Sequence, residues 1–132
     1  MRYMLDTDIC IYAINERPPG VLQALRDHQS EGLGVSAITA AELHFGVARS
    51  ASARNAQALR RFLAVLEVAP FNALAGEVSG RVRAWLAEQG TPIGPYDSLI
   101  AAHAQSLDVT LVTNNTREFK RVPGLKLANW AE

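Results

Sequence analysis

The sequence predicts an α/β fold built on a central, mostly parallel sheet. Short apolar segments rich in Val, Ile, Leu and Thr alternate with longer stretches of helical periodicity, and turn or capping residues stand at the junctions. The apolar Tyr3-Met4-Leu5 also gives way directly to Asp6-Thr7-Asp8 and a helical pattern. That places polar chemistry outside the carboxyl end of a strand, where open α/β sheets bind their ligands.

Taken in order, the first strand ends at Asp6, with Asp6, Thr7 and Asp8 all candidates to cap the following helix. Ile9, Ile11, Tyr12 and Ile14 mark that helix, which stops before Pro18-Pro19-Gly20. Pro19 suits the opening position of a second helix with Val21, Leu22 and Leu25 as its apolar stripe. Gly32 and Gly34 introduce a second strand ending near Ile38, and Thr39-Ala40-Ala41-Glu42 then reads as a T-x-x-E capping box opening a helix. A further helix spans about 53–66, with Leu59, Phe62, Leu63 and Leu66 on one face, and Glu67–Pro70 forms a brief strand. Asn72 caps a long helix carrying Leu74, Val78, Val82, Trp85 and Leu86 and ending at Gly90 in the C′ position. Pro95 opens another helix, so Asp97 falls in its first turn, where the helix dipole alone favours an acid. Leu99, Ile100, His103 and Leu107 form its expected buried stripe, with His103 read as a hydrogen-bonded core residue. Val109–Thr113 is a β-branched strand followed by Asn114-Asn115, and Val122-Pro123-Gly124 turns into a last strand at Leu125–Leu127.

With 132 residues, the chain suffices for one domain, 1–132, around one core. It is 48% hydrophobic and 20% charged, the balance of an ordinary globular protein. A formal net charge of zero argues against nonspecific wrapping of nucleic acid but leaves room for a local field. Eleven of the thirteen basic residues are arginine. Cys10 is the only cysteine, which excludes an internal disulfide and a multi-cysteine zinc site. No stretch approaches the roughly 20 apolar residues of a membrane span, and Asp6 and Asp8 interrupt the apolar N-terminus before a signal sequence could form. The expected location is the cytoplasm, with no membrane partner.

Three acids, Asp6, Glu42 and Asp97, therefore stand at the expected carboxyl edge of one sheet, and Asn115 ends another strand there. Each has a local explanation as a cap. Gathered in one pocket, they would repel one another unless a cation or protons relieved them. Oxygen donors without His or Cys suit magnesium or manganese. Such an ion activates water and offsets charge on the leaving oxygen in phosphodiester cleavage.

On these residues the chain resembles the PIN-domain ribonucleases, and among them the VapC toxins of type II toxin–antitoxin systems. The resemblance is carried by Met4-Leu5-Asp6-Thr7-Asp8, by Ser36-Ala37-Ile38-Thr39-Ala40-Ala41-Glu42-Leu43, by Gly94-Pro95-Tyr96-Asp97 and by Leu111-Val112-Thr113-Asn114-Asn115 with Arg117-Glu118-Phe119. These motifs occur in the family's order and at its spacing over almost the whole chain. What the resemblance implies is a three-layer α/β/α sandwich and a Mg2+- or Mn2+-dependent endoribonuclease in which Asp6, Glu42 and Asp97 hold the metal. It further implies Thr113 as an orienting hydroxyl, a homodimer, and a VapB antitoxin whose C-terminal segment covers the site. The Gly-Pro-Tyr-Asp and Thr-Asn-Asn-x-Arg-Glu-Phe forms look most like the branch that cuts initiator tRNA in its anticodon stem-loop.

Two positions depart from the family pattern. Asp8 stands where asparagine is usual, and either joins the acidic pocket or caps the first helix. Asn115 stands where a fourth acid is common; its carbonyl is a neutral donor, and Glu118, one turn later, can supply the charge.

Two other readings fit parts of the chain. Asp6-Thr7-Asp8 also resembles the D-x-D of haloacid dehalogenase-type phosphatases, with Asp6 as nucleophile. Those enzymes need a balancing lysine, and only Lys120 and Lys126 exist. The other alternative is a catalytically inactive PIN-like module that binds RNA or protein.

Overall fold

A computed structural model describes residues 1–131. Five parallel strands, β1 (Tyr3–Leu5), β2 (Leu33–Ser36), β3 (Glu67–Ala69), β4 (Thr110–Val112) and β5 (Leu127–Ala128), lie in the order β3-β2-β1-β4-β5. Central β1 pairs Tyr3 with Leu33 on one side and with Thr110 on the other. The chain therefore winds outward in both directions from β1. The switch point of this doubly wound sheet lies beside the carboxyl end of β1, where Asp6 follows.

Alternation along the strands divides the core between two layers. Leu5, Val35 and Val112 pack with Ile9, Val21, Leu43 and Leu59 from α1 (Thr7–Asn15), α2 (Pro19–His28), α3 (Ala37–Ser50) and α4 (Ala53–Ala64). Met4 and Leu111 face the other way, onto Val78, Val82 and Leu86 of α5 (Ala73–Glu88) and Ile100 and Ala104 of α6 (Pro95–Ser106). Each large apolar side chain buried this way contributes on the order of 2 kcal/mol. A one-residue slip of β1 would reverse both layers, so burial fixes its register. The three-layer α/β/α expectation is met.

Several boundaries differ from the sequence expectations. Strand β2 ends at Ser36, not Ile38, because the Ser36 hydroxyl itself accepts from Ile38 N at 3.0 Å and opens α3 there. Thr39 is therefore inside the helix and buried, and no capping box forms with Glu42. In α5, Leu74 and Trp85 are exposed while Ala75 and Ser79 are buried. The buried face of α6 is likewise Ser98, Ile100, Ala101, Ala102, His103 and Ala104; Leu107 lies outside it. Small residues line both faces because α5 and α6 pack closely together, and apolarity alone does not register them. The Asn72 cap and Gly90 at φ +70° are as expected. Residues 116–119 form a one-turn helix, α7 (Thr116–Phe119), and the last strand moves to Leu127–Ala128.

Candidate active site

Asp6 leaves β1 with extended backbone, and its Oδ1 accepts from Ile9 N at 2.9 Å. Asp6 is thus the helix cap; Asp8 sits exposed in the first turn and makes no capping bond. Capping uses one oxygen of Asp6 and leaves the other for further work. Thr113, fully buried just past β4, hydrogen-bonds the Asp6 side chain, while its own Oγ1 accepts from Asn115 N at 2.9 Å. Two adjacent strands thereby fix one carboxylate. Burial, opposed by these two hydrogen bonds but assisted by the charges of Asp8 and Glu42, raises the pKa of Asp6 from 3.8 to about 6.

Glu42 stands in the second turn of α3, where the Thr7 hydroxyl donates to its Oε1 at 2.7 Å. Thr39 Oγ1 lies 3.3 Å from the same Thr7 oxygen. With Thr7's proton committed to Glu42, Thr39 is the donor there. Hydroxyls of α1 and α3 therefore hold Glu42 toward the end of β1. Sequence reasoning treated Thr7 only as a cap candidate and missed this role; the available signal was a hydroxyl beside each of two acids at successive strand–helix junctions.

Asp97 lies in the first turn of α6. Its pKa is raised from 3.8 to about 7, first by burial, then by the charges of Glu118, Asp6 and Glu42, and by a hydrogen bond to the Glu118 carboxyl. Of these neighbours Glu118 acts most strongly on Asp97, after burial. Glu118 is itself held by Gly94 N at 3.1 Å and by the Asn115 side-chain amide. The one-turn α7 so aims Glu118 back at the start of α6. Asn115, expected as a direct participant, orients Glu118 through that amide.

The structure thus brings Asp6, Glu42, Asp97, Thr113, Asn115 and Glu118 to one edge, the acids linked to its hydroxyls and amides. Among the described residues, however, no three acidic, His or Cys side chains stand close enough to form a ready-made metal centre. Glu42 is engaged with Thr7, and Glu118 with Gly94 and Asn115. Nor does any Lys, Arg or His ion-pair with these acids among the described residues. The donor set is all oxygen, and the pKa values of Asp6 and Asp97 are raised by burial first and by neighbouring acids second, with no ion-pair partner among the described residues to offset them. Both properties fit a divalent cation.

A parallel α/β sheet whose carboxyl edge gathers uncompensated carboxylates defines a class of protein suited to hydrolysis of phosphate esters. The chain belongs to the PIN-domain family, whose model matches residues 3–125, and within it to the VapC ribonucleases. The tRNA(fMet)-specific endonuclease VapC of Shigella flexneri is 39% identical over 132 residues, 99% of each chain. Ribonuclease VapC2 of Rickettsia felis is 43% identical over 132 residues, 98% of each chain. Among solved structures, VapBC2 from Rickettsia felis bound to a DNA fragment from its promoter matches with a TM-score of 0.90 and 42% identity, covering 98% of this chain and 99% of that one.

The phosphatase alternative gives way to this membership. Lys126, one of its two possible balancing cations, pairs with Asp108 at 2.8 Å ahead of β4, at the opposite end of the sheet. No helix of the described residues is long and apolar enough to cross a membrane.

Proposed function

We propose that the chain is a toxin of the VapC type, a divalent-cation-dependent endoribonuclease that cuts initiator tRNA in the anticodon stem-loop and so arrests translation. The observation that carries this reading is membership of the VapC ribonucleases over nearly the whole chain, joined to the placing of Asp6, Glu42, Asp97 and Glu118 at one sheet edge with no Lys, Arg or His ion-paired to them among the described residues. Asp6, Glu42 and Asp97 are the residues to hold Mg2+ or Mn2+, with Glu118 in the place of a fourth acid. Bound there, the ion supplies Lewis acidity toward water and phosphate.

The remaining steps belong to the chain. Thr113 holds the Asp6 carboxylate, Thr7 holds Glu42, and Asn115 holds Glu118, so the acids are oriented before substrate arrives. Asp97, with a pKa of about 7, can give up its proton near neutral pH when positive charge enters the site. The tRNA assignment draws on the Shigella relative's name and on the two motif forms noted above.

The partners follow from the same membership. A VapB antitoxin has an apolar cleft of about 280 Å3 to fill, lined by Ile11, Ile14, Leu43, Val47 and Leu59 with Glu42 on its wall. A segment seated there would lie directly beside the acids. For a homodimer, Phe45 and Tyr96 offer apolar surface, 64% and 58% exposed and flanking one cleft.

Sequencing RNA 5′ ends from cells briefly expressing the protein, against an Asp97→Asn control, tests the reading. A single cut in initiator tRNA that disappears in the control is the expected result. Identical 5′ ends in both would overturn it, and absence of metal-dependent turnover of any RNA by pure protein would favour the inactive binding module.

A further inference from the structure

Two of the helices that deliver acids to the edge are joined beneath it by a buried polar link that the chemistry above does not use. His103 is 1% exposed on α6, two turns below Asp97, and its Nδ1 lies 2.7 Å from Ser36 Oγ. Ser36 is fully buried and is the residue whose hydroxyl caps α3, the helix of Glu42. The ring also hydrogen-bonds the Pro70 backbone, one residue past β3, which can offer only its carbonyl, and with Nδ1 against Ser36 that bond falls to the other nitrogen. A carbonyl can only accept, so that nitrogen carries the proton and Nδ1 is the acceptor. The Ser36 hydroxyl must then donate to Nδ1 while its oxygen accepts from Ile38 N. Phe71 packs edge-on against the ring at 5.2 Å. Burial lowers the His103 pKa, which keeps the ring in this neutral form.

We propose that His103, through Ser36, is a positioning residue that sets the register of α6 against the start of α3 and thereby the spacing of Asp97 and Glu42. The link is the hydrogen bond between α6 and the β2–α3 junction, and both acids lie within two turns of it. A core histidine kept only to fill space would be replaceable by any side chain of similar volume. A positioning histidine is replaceable only by one that still accepts from Ser36. The inference rests on the proposed metal-holding role of the two acids.

The test compares His103→Leu, His103→Gln, His103→Asn and Ser36→Ala by Mn2+ calorimetry on the full chain, RNA-cleavage kinetics and thermal melting. Asparagine places an acceptor at the level of Nδ1, whereas glutamine places its amide at the level of the other nitrogen. Mn2+ affinity is expected to fall about tenfold in the Leu, Gln and Ser36→Ala variants, with lower kcat and unchanged KM for RNA. His103→Asn is expected within about threefold of the parent, and Ser36→Ala combined with His103→Leu no worse than either alone. Should His103→Leu keep the parent affinity while Asp97→Asn loses it, the positioning role is wrong. Equal losses in the Asn and Gln variants, tracking their melting temperatures, would also overturn it. If instead Asp97→Asn binds Mn2+ as tightly as the parent, the reading of the site itself has failed.

Discussion

At the amino ends of the strands, Glu31 meets Arg2 at 3.3 Å, Glu67 meets the N-terminal ammonium at 3.4 Å and Asp108 meets Lys126 at 2.8 Å. At the carboxyl ends, Asp6, Glu42, Asp97 and Glu118 meet hydroxyls, amides and one another. The same five strands thus carry acids at both edges, and only one edge neutralises them. Exposed ion pairs of the first kind contribute little, typically under about 1 kcal/mol each. The buried and half-buried carboxylates of the second kind work against folding at neutral pH, and on the proposed function a bound divalent cation compensates them. The contrast separates acids paired within the fold from acids with no ion-pair partner among the described residues.

The largest expected effect falls on catalysis. Asp6→Asn, Glu42→Gln and Asp97→Asn should each lower metal-dependent RNA cleavage by at least about a hundredfold while the far-ultraviolet circular dichroism is retained. Glu67→Gln at the other edge should leave the rate unchanged. Wild-type rates in all three carboxyl-edge variants would erase the contrast.

Next in size is a stability difference with a definite sign. The folded-state pKa of Asp97 is about 7 against 3.8 for the model carboxyl, so between those values the folded chain holds a proton that the unfolded chain has lost. Its contribution therefore falls as pH rises through that window and is gone above about pH 7. Asp6, at about 6, adds a shift of the same sign, on the order of 3 kcal/mol for a group this buried. In chelator-treated protein, Asp97→Asn should melt several degrees above the parent at pH 8 and converge with it near pH 4. Mn2+ at pH 8 should close or reverse the gap. A parent that melts at the same temperature with and without the ion would count against compensation from outside.

Glu118 sharpens the comparison at smaller amplitude. Glu118→Gln should weaken Mn2+ binding severalfold and lower the Asp97 titration, followed by carboxyl-carbon NMR, while burial keeps it above ordinary aspartate values. An unchanged Asp97 titration would show that the charge of Glu118 does not act on Asp97. The smallest expected effect is at Lys126→Met, where loss of an exposed pair should cost under about 1 kcal/mol in chemical denaturation and nothing in metal affinity.

Much of this was legible from the residues. The alternation of β-branched segments with helical periods gave the parallel sheet, and Asp6, Glu42 and Asp97 each stood at a junction that the topology sends to one edge. The capping box at Thr39–Glu42 was misread because Ser36, three residues earlier, offers the strand end a hydroxyl first. That error mattered: an acid bound to its own helix cap would not be free to meet Asp6. Leu74, Trp85 and Leu107 were misplaced for another reason, since alanine and serine decide how closely α5 and α6 approach. Links across long sequence separations, Thr7 to Glu42 and Ser36 to His103, leave no trace in local periodicity. The approach of Glu118 to the start of α6 depends on the turn that α7 makes after β4, which the run from Asn114 to Phe119 does not announce.

The most direct test of the central contrast is calorimetric titration of the metal-stripped chain with Mn2+ at pH 7, repeated in buffers of different ionisation enthalpy. The expected result is saturable binding with net proton release, the proton coming chiefly from Asp97, and loss of both affinity and release in Asp97→Asn. Binding that releases no proton and survives in Asp6→Asn, Glu42→Gln and Asp97→Asn alike would contradict it.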